Sequence, residues 1–420
     1  MNIYLIIIVC LLVGEYLLHL LVDVANLKHV ETEIPGEFEG WYDAEKYRKS
    51  QDYLRDTTRF DVLRSTVLMP LTLAFILLGG FRMVDDAARA SENGLVLTGL
   101  YFAGMLILLF QLANLPFSIY STFVLEERYG FNRTKPLTFV VDFIKELMLI
   151  AIIGGIVLAG LIWFFSTAGE WAWLTSWIAL VVVQFLLIYI APIVILPLFN
   201  TFTPLEDGEL KESISSYAHG QGFSLKGIFT MDGSKRSTKS NAYFTGFGRW
   251  RRIVLFDTLV QKHSVNELVS ILAHEVGHYK LRHIRRMLVT SILSTGVMFF
   301  ILSLFITRPG LYGAFGLEMI PIDGRPPVYA GLIFFGFLYT PISILLGLLQ
   351  NVLSRKHEYE ADAFAVETCG EPDAMIEALK KLTVDNLSDL SPHPLKVFLE
   401  YSHPPILQRI EAIRGLPSST

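Results

Sequence analysis

The chain has 420 residues, of which 52% are hydrophobic and 18% charged, with a formal net charge of −5. That apolar share, with a mean hydropathy of +0.46, excludes an ordinary soluble globular protein. The modest charge and the lack of a basic tract argue against nucleic acid as a partner. The two cysteines, Cys10 inside an apolar run and Cys369 far downstream, exclude a disulfide scaffold.

In chain order, apolar runs stand at about 3–24, 62–83, 97–120, 147–167, 174–199, 287–308 and 327–350, each near the ~20 residues a helix needs to cross the hydrocarbon core. Seven spans are therefore predicted. The first run has no basic leader and carries Glu15 and His19, so it is read as a retained span, not a signal peptide. Between the first two spans, Ala44 to Thr58 reads as a helix extending a span into water. The stretch 201–286 is the longest polar insertion. It begins with a helical pattern at 209–221. Strand-like segments Gly227–Met231, Asn241–Thr245 and Arg252–Phe256 follow, with a Gly246-Phe247-Gly248 turn after the second, and predict a small hairpin or three-stranded sheet. Ser264 and Glu267 form a capping-box pattern that starts an amphipathic helix running to about Arg286. After the seventh span a further helix begins at Ser354, and the last fifty or so residues read as a helical tail punctuated by Pro372, Pro394, Pro404 and Pro405.

Lysine and arginine cluster in the connections after the first, third and fifth spans, at Lys46, Arg48, Lys49 and Arg55, at Arg128, Arg133 and Lys135, and from Lys211 to Arg286. Positive loops stay cytoplasmic, which predicts an N-terminus outside and a C-terminus in the cytoplasm. The division expected is 1–200 for spans one to five, 201–286 for a cytoplasmic insertion, 287–350 for spans six and seven, and 351–420 for a cytoplasmic helical part.

Within the insertion lies His274-Glu275-Val276-Gly277-His278. Two histidines four apart on a helix project from one face and can share a tetrahedral zinc ion, while the intervening Glu275 can serve as general base toward a water. A catalytic zinc takes three protein ligands. Leu281 and Ile284 occupy the positions where a metzincin needs glycine and histidine, which excludes that class. His283 is one residue short and is expected on a basic helix face beside Arg282 and Arg285. The remaining solution draws a glutamate from a second helix. Glu358 is the best candidate, with Asp362 one turn later to accept the spare N–H of a ligand histidine and Glu360 pointing elsewhere. The competing reading of Glu358 and Asp362 is a solvated helix face beside Arg355 and Lys356. An oxyanion donor is also required, and composition does not choose among the remaining histidines.

These residues resemble the CAAX prenyl protease 1 family of integral-membrane zinc endopeptidases. The resemblance rests on His274 to His278 and on Ser354-Arg355-x-x-Glu358-Tyr359-x-Ala361-Asp362. It is extended by Gly233-Ser234-Lys235-Arg236-Ser237, Ser240-Asn241-Ala242-Tyr243-Phe244, Tyr129-Gly130-Phe131-Asn132 and Tyr401-Ser402-His403-Pro404-Pro405 with Arg409. It implies a mainly α, multi-pass membrane fold whose seven helices form a barrel around a water-filled chamber. A cytoplasmic zincin-like part carrying a small sheet would hold one zinc ion per chain. By position, His403 would be the oxyanion donor, Asn241 would hold substrate backbone on a strand edge, and Arg409 would brace the site. The implied partners are the bilayer and a peptide or protein substrate, prenylated in the family. The host would be a bacterial inner membrane or the endoplasmic reticulum, with turnover of membrane proteins the expected role in a prokaryote. A transporter or proteolytically silent clearance factor is the alternative, against which the complete metal set argues. A site-2 type intramembrane protease would need the histidines inside a span, where Glu267, Lys280 and Arg282 do not belong.

Overall fold

The computed structural model describes residues 2–90, 92–223, 225–245 and 251–417. Among them, seven helices are long and apolar enough to cross a membrane: Ile3–His29, Ala44–Leu77, Gly94–Tyr129, Pro136–Thr167, Gly169–Phe199, His283–Phe305 and Val328–Cys369. The second begins in the polar stretch 44–58, so one continuous helix joins the aqueous and apolar parts, as expected. It stops at Leu77, short of the predicted 83, because Gly79 adopts a left-handed conformation (φ 76°) that starts the separate helix Gly80–Arg89.

The spans close into a ring. Each packs against its sequence neighbour, the second reaching the third partly through Gly80–Arg89, and the seventh returns to the first. Across the second and third spans, the Arg64 guanidinium donates to Asn114 Oδ1 from Nη2 at 2.6 Å, and Phe60 stacks on Tyr120. Between 0% and 28% of each apolar window is buried. Seven helices in a solid bundle would bury at least one nearly all round; a hollow barrel leaves an outer face to lipid and an inner face to a chamber. One end of the barrel is closed by packed aromatics, with Phe315 stacked on Phe334 at 3.9 Å and the Tyr329 hydroxyl donating to the buried Asp85 at 2.6 Å.

The insertion sits at the other end. Among the described residues its sheet has four strands in the order β1-β2-β4-β3, formed by β1 (Phe202–Pro204), β2 (Gly227–Met231), β3 (Ala242–Thr245) and β4 (Arg252–Phe256). This corrects the three-stranded expectation. Moreover, β2 and β4 pair in parallel, while β1 joins β2 and β3 joins β4 antiparallel. The expected turn at Gly246–Gly248 lies outside the described residues. Ile228, Ile253 and Leu255 face the helices Glu209–Gly220 and Val265–Lys280, whose Ile214, Leu268, Leu272 and Val276 complete one apolar core.

The motif helix Val265–Lys280 begins on the expected capping box: Ser264 Oγ accepts from the Glu267 N–H at 3.4 Å, and Glu267 Oε2 accepts from the Ser264 N–H at 3.0 Å. It ends earlier than expected. Arg282 has φ 62°, and this left-handed residue separates the motif helix from the sixth span, which starts at His283. Nor does a new helix begin at Ser354: the seventh span runs unbroken for 42 residues and carries Glu358 and Asp362 on its own extension. The tail forms helices Pro372–Asp385, Pro394–Glu400 and Ile406–Arg414, and Pro372 and Pro394 start helices where they were expected to end them.

Candidate metal centre

The motif helix lies against the extension of the seventh span, and Gly277 sets how close they come. A Cβ there would stand 3.1 Å from Phe364 Cδ1 and 3.3 Å from both Cα and carbonyl oxygen of Ala361. On the face so apposed, His274 and His278 project one turn apart. Their Nε2 atoms are 3.0 Å from each other. Glu358 Oε2 lies 3.4 Å from His274 Nε2, and Glu358 Oε1 lies 3.3 Å from His278 Nε2.

His274 and Glu358 are buried, at 7% and 4% exposure. Glu358 Oε2 accepts no hydrogen bond among the described residues. An unsatisfied buried carboxylate oxygen is costly, and facing ring nitrogens repel unless a cation or proton lies between them. Two imidazole nitrogens and a carboxylate, all within 4.8 Å of one another, are a donor set that fits a divalent metal ion.

Asp362, 2% exposed, supports this set. Its Oδ1 is 2.8 Å from His274 Nδ1, and it accepts a forked pair from Arg409, Nε to Oδ2 at 2.8 Å and Nη2 to Oδ1 at 2.6 Å. Arg409 Nη1 stands 3.6 Å from Glu358 Oε2, so one guanidinium faces both carboxylates. Burial opposes a charge on His274, but its hydrogen bond to Asp362 and the nearby Glu358 carboxylate outweigh that and push its pKa up to about 9.

His403 Nε2 comes within 3.5 Å of Glu358 Oε1, and its Nδ1 is 3.0 Å from Ser402 Oγ. The turn that delivers it is clamped by Arg355, whose Nη1 donates to the carbonyls of Val397 at 3.0 Å and Tyr401 at 2.5 Å. Arg355 was legible only as part of a motif, with no role; its carbonyl contacts depend on the tail folding back, which local sequence does not report. Glu275 is half-buried, and its carboxylate makes no hydrogen bond among the described residues. Asn241 makes none to the histidine–glutamate cluster. Exposed at the head of β3, it accepts from the Phe256 N–H at 3.1 Å through its carbonyl, continuing the ladder to β4. On its far side β3 is an edge with no partner strand among the described residues.

His283 is not on the solvated basic face expected of it. It is 0% exposed, with Nδ1 3.1 Å from His278 Nδ1 and Nε2 2.9 Å from Glu360 Oε2. The break at Arg282 causes the difference, because it turns the ring back toward the motif helix.

Two family models match the chain. Residues 23–201 match "CAAX prenyl protease N-terminal, five membrane helices", and residues 204–416 match "Peptidase family M48". The CAAX prenyl protease 1 of Saccharomyces cerevisiae is 37% identical over 404 residues, covering 91% of this chain and 89% of that protein. The human CAAX prenyl protease 1 homolog is 32% identical, covering 92% and 89%. Among solved structures, the crystal structure of S. mikatae Ste24p superimposes with a TM-score of 0.93 at 35% identity, covering 98% of this chain and 99% of that one.

Proposed function

The chain belongs to the CAAX prenyl protease 1 family and is a metallopeptidase of the membrane, and from that premise we propose that it is a zinc endopeptidase removing the C-terminal tripeptide from prenylated peptides. His274, His278 and Glu358 would hold the zinc. Asp362 fixes the ring of His274, and Arg409 braces Asp362. The observation that carries this reading is the convergence of the buried His274 ring nitrogen, the half-buried His278 ring nitrogen and a carboxylate oxygen with no hydrogen-bond partner among the described residues.

When bound, zinc polarises the scissile carbonyl and lowers the pKa of a water toward ~7. Glu275, between the two ligand histidines and with no side-chain hydrogen bond among the described residues, takes the proton from the attacking water and passes it to the leaving amine. His403 presents Nε2 to the same space and donates to the oxyanion, a contribution of about 3 kcal/mol where such donors have been removed from other hydrolases. The open edge of β3 receives the substrate as an extended strand, with Asn241 at its head. The chamber takes the apolar chain. The site end gathers the connections rich in Lys and Arg, which supports an N-terminus outside and a cytoplasmic metal centre in either a bacterial inner membrane or the endoplasmic reticulum.

The test compares a farnesylated C-terminal peptide with its unprenylated twin on purified protein, alongside Glu275→Gln. Cleavage should favour the farnesylated peptide and vanish in Glu275→Gln with one zinc per chain retained. Full activity in that variant removes the mechanism. Equal rates on the two peptides remove the prenyl specificity and favour turnover of hydrophobic peptides at large.

A further inference from the structure

Both ligand histidines present Nε2 to the proposed zinc, which leaves an Nδ1–H on each to be placed. For His274 the acceptor is the Asp362 carboxylate. For His278 no carboxylate is in reach among the described residues; what faces its Nδ1 is another imidazole, His283, at 3.1 Å, whose far nitrogen meets Glu360 Oε2 at 2.9 Å. We propose that His283 and Glu360 are positioning residues for His278, forming a hydrogen-bonded chain from the ligand ring through a second imidazole to a carboxylate.

The proton assignment follows from the metal reading, on which this inference rests. A ligand His278 gives its Nε2 lone pair to the ion and so carries its proton on Nδ1. His283 Nδ1 must then accept, which puts the His283 proton on Nε2, facing a carboxylate that accepts it. Each contact then has one donor and one acceptor. On an uninterrupted helix, position 283 would lie about 140° around the axis from position 278 and could not meet its ring. The left-handed Arg282 removes that obstacle, and the ring it delivers is fully buried. The ring plane is fixed by His357, stacked on His283 at 4.0 Å and 11°. Arg286 Nη1 at 3.8 Å and Lys356 Nζ at 3.7 Å also face Glu360 and hold the carboxylate at the end of the chain.

A second metal site is the competing use of these side chains, since His283, His357 and Glu360 bring ligand atoms within 4.8 Å of one another, and both ring nitrogens of His357 lack a hydrogen-bond partner among the described residues. Two features favour the chain of hydrogen bonds. With His278 ligated, His283 Nε2 carries a proton and has no lone pair to give. The lone pairs of near-parallel stacked rings also lie in planes about 4.0 Å apart, so they do not converge on one ion.

The test measures zinc stoichiometry and dissociation constant by chelator competition on the full-length protein in detergent, with the visible spectrum of the cobalt-substituted protein as a second readout. His283→Phe keeps the stack and removes both nitrogens; zinc should bind about 10–100-fold more weakly, with an altered cobalt spectrum. His283→Asn leaves an oxygen near the place of Nδ1 and should recover most of that loss. Glu360→Gln should weaken zinc less, and the double variant His283→Phe with Glu360→Gln should be no worse than His283→Phe alone. Wild-type affinity and spectrum in both His283→Phe and Glu360→Gln, or additive losses in the double variant, overturn the proposal. So does a second zinc equivalent that His357→Phe removes. If Glu360→Gln alone can be purified, wild-type affinity and spectrum there still overturn it. A wild-type protein that binds no zinc refutes the metal reading itself, a failure distinct from the others.

Discussion

Replacing Asp362 by asparagine changes one oxygen to an amino group and exposes how much of the centre depends on that carboxylate. Asp362 Oδ1 faces two donors, His274 Nδ1 and Arg409 Nη2, and Oδ2 faces a third, Arg409 Nε. Asparagine has a single oxygen. Placed at the Oδ1 position, it leaves its NH₂ against Arg409 Nε; turned over, it sets NH₂ against the other two donors. Both orientations bury an unmatched donor pair and leave Arg409, 11% exposed in its side chain, with Glu358 at 3.6 Å and the field of Glu275 to balance it. Breaking a buried pair from one side costs about 3–5 kcal/mol, and the surviving Glu358 carboxylate puts the expected loss near the lower bound, about 3 kcal/mol. The orientation of His274 is lost with it, so zinc affinity should fall about 10–100-fold. Chelator competition gives the affinity, and the thermal transition of metal-free protein in detergent gives the stability. An Asp362→Asn protein that binds zinc as the parent does, and unfolds at the parent's temperature, would refute the assignment of Asp362 as support for His274.

Further outcomes follow from other contacts. Gly277→Ala places a Cβ 3.3 Å from the backbone of Ala361, which cannot turn aside as a side chain would; the two helices must separate, and zinc affinity and peptidase rate should both fall while the protein still inserts. Wild-type values for both would show that the helices have room. Arg355→Met removes the clamp on the turn carrying His403 without touching the metal ligands. It should lower kcat about 10-fold or more with zinc affinity unchanged, and an unchanged kcat would separate Arg355 from the delivery of His403. Ser264→Ala removes one half of the capping box and should cost about 1 kcal/mol in thermal stability, with full zinc occupancy. His274, raised to about 9, must lose a proton to bind metal. The sign is that of a raised pKa: in metal-free protein its stabilising contribution is complete below about 6.5, the unfolded value, and disappears as pH rises through about 9. Zinc affinity should therefore climb by up to about tenfold per pH unit between those limits. A pH-independent affinity over that range would contradict the pairing with Asp362.

The parts legible in sequence are those encoded by short-range periodicity. His274 and His278, and likewise Glu358 and Asp362, are one helical turn apart, so each pair announces its face. The seven spans are visible because length and apolarity alone define them. What escaped notice depends on backbone states and contacts with no local signature. Arg282 is left-handed without being glycine, so the end of the motif helix carries no composition cue. His283 consequently appeared on the wrong face. Strand β1 has three residues and exists because it pairs with β2, and the parallel pairing of β2 with β4 joins segments about 25 residues apart that strand propensity does not order. The continuity of the seventh span with the helix bearing Glu358 was hidden because a polarity change at Ser354 imitates a boundary, although no cap or breaker stands there.

That continuity bears on which substrates suit the site. The helix Val328–Cys369 has 42 residues, about 63 Å of helix, roughly twice the ~30 Å of hydrocarbon. Its apolar part ends near Gln350, so Glu358 lies eight residues further on, about 12 Å beyond the hydrocarbon limit. The same rigid rod that lines the barrel therefore holds Glu358, the proposed ligand, just outside the interface. A water-soluble peptide gains nothing from that placement. A peptide with an apolar chain a residue or so from its scissile bond can keep the chain inside the barrel while the bond reaches Glu275, and the chain's burial, at about 0.8 kcal/mol per CH₂, then contributes to binding. Glycine or proline substituted for Val352 would bend or loosen the rod without changing the number of residues between Gln350 and Glu358. Under this reading such a variant loses discrimination between prenylated and unprenylated peptides before it loses zinc. If instead zinc affinity falls and the preference persists, the rod serves only to hold Glu358.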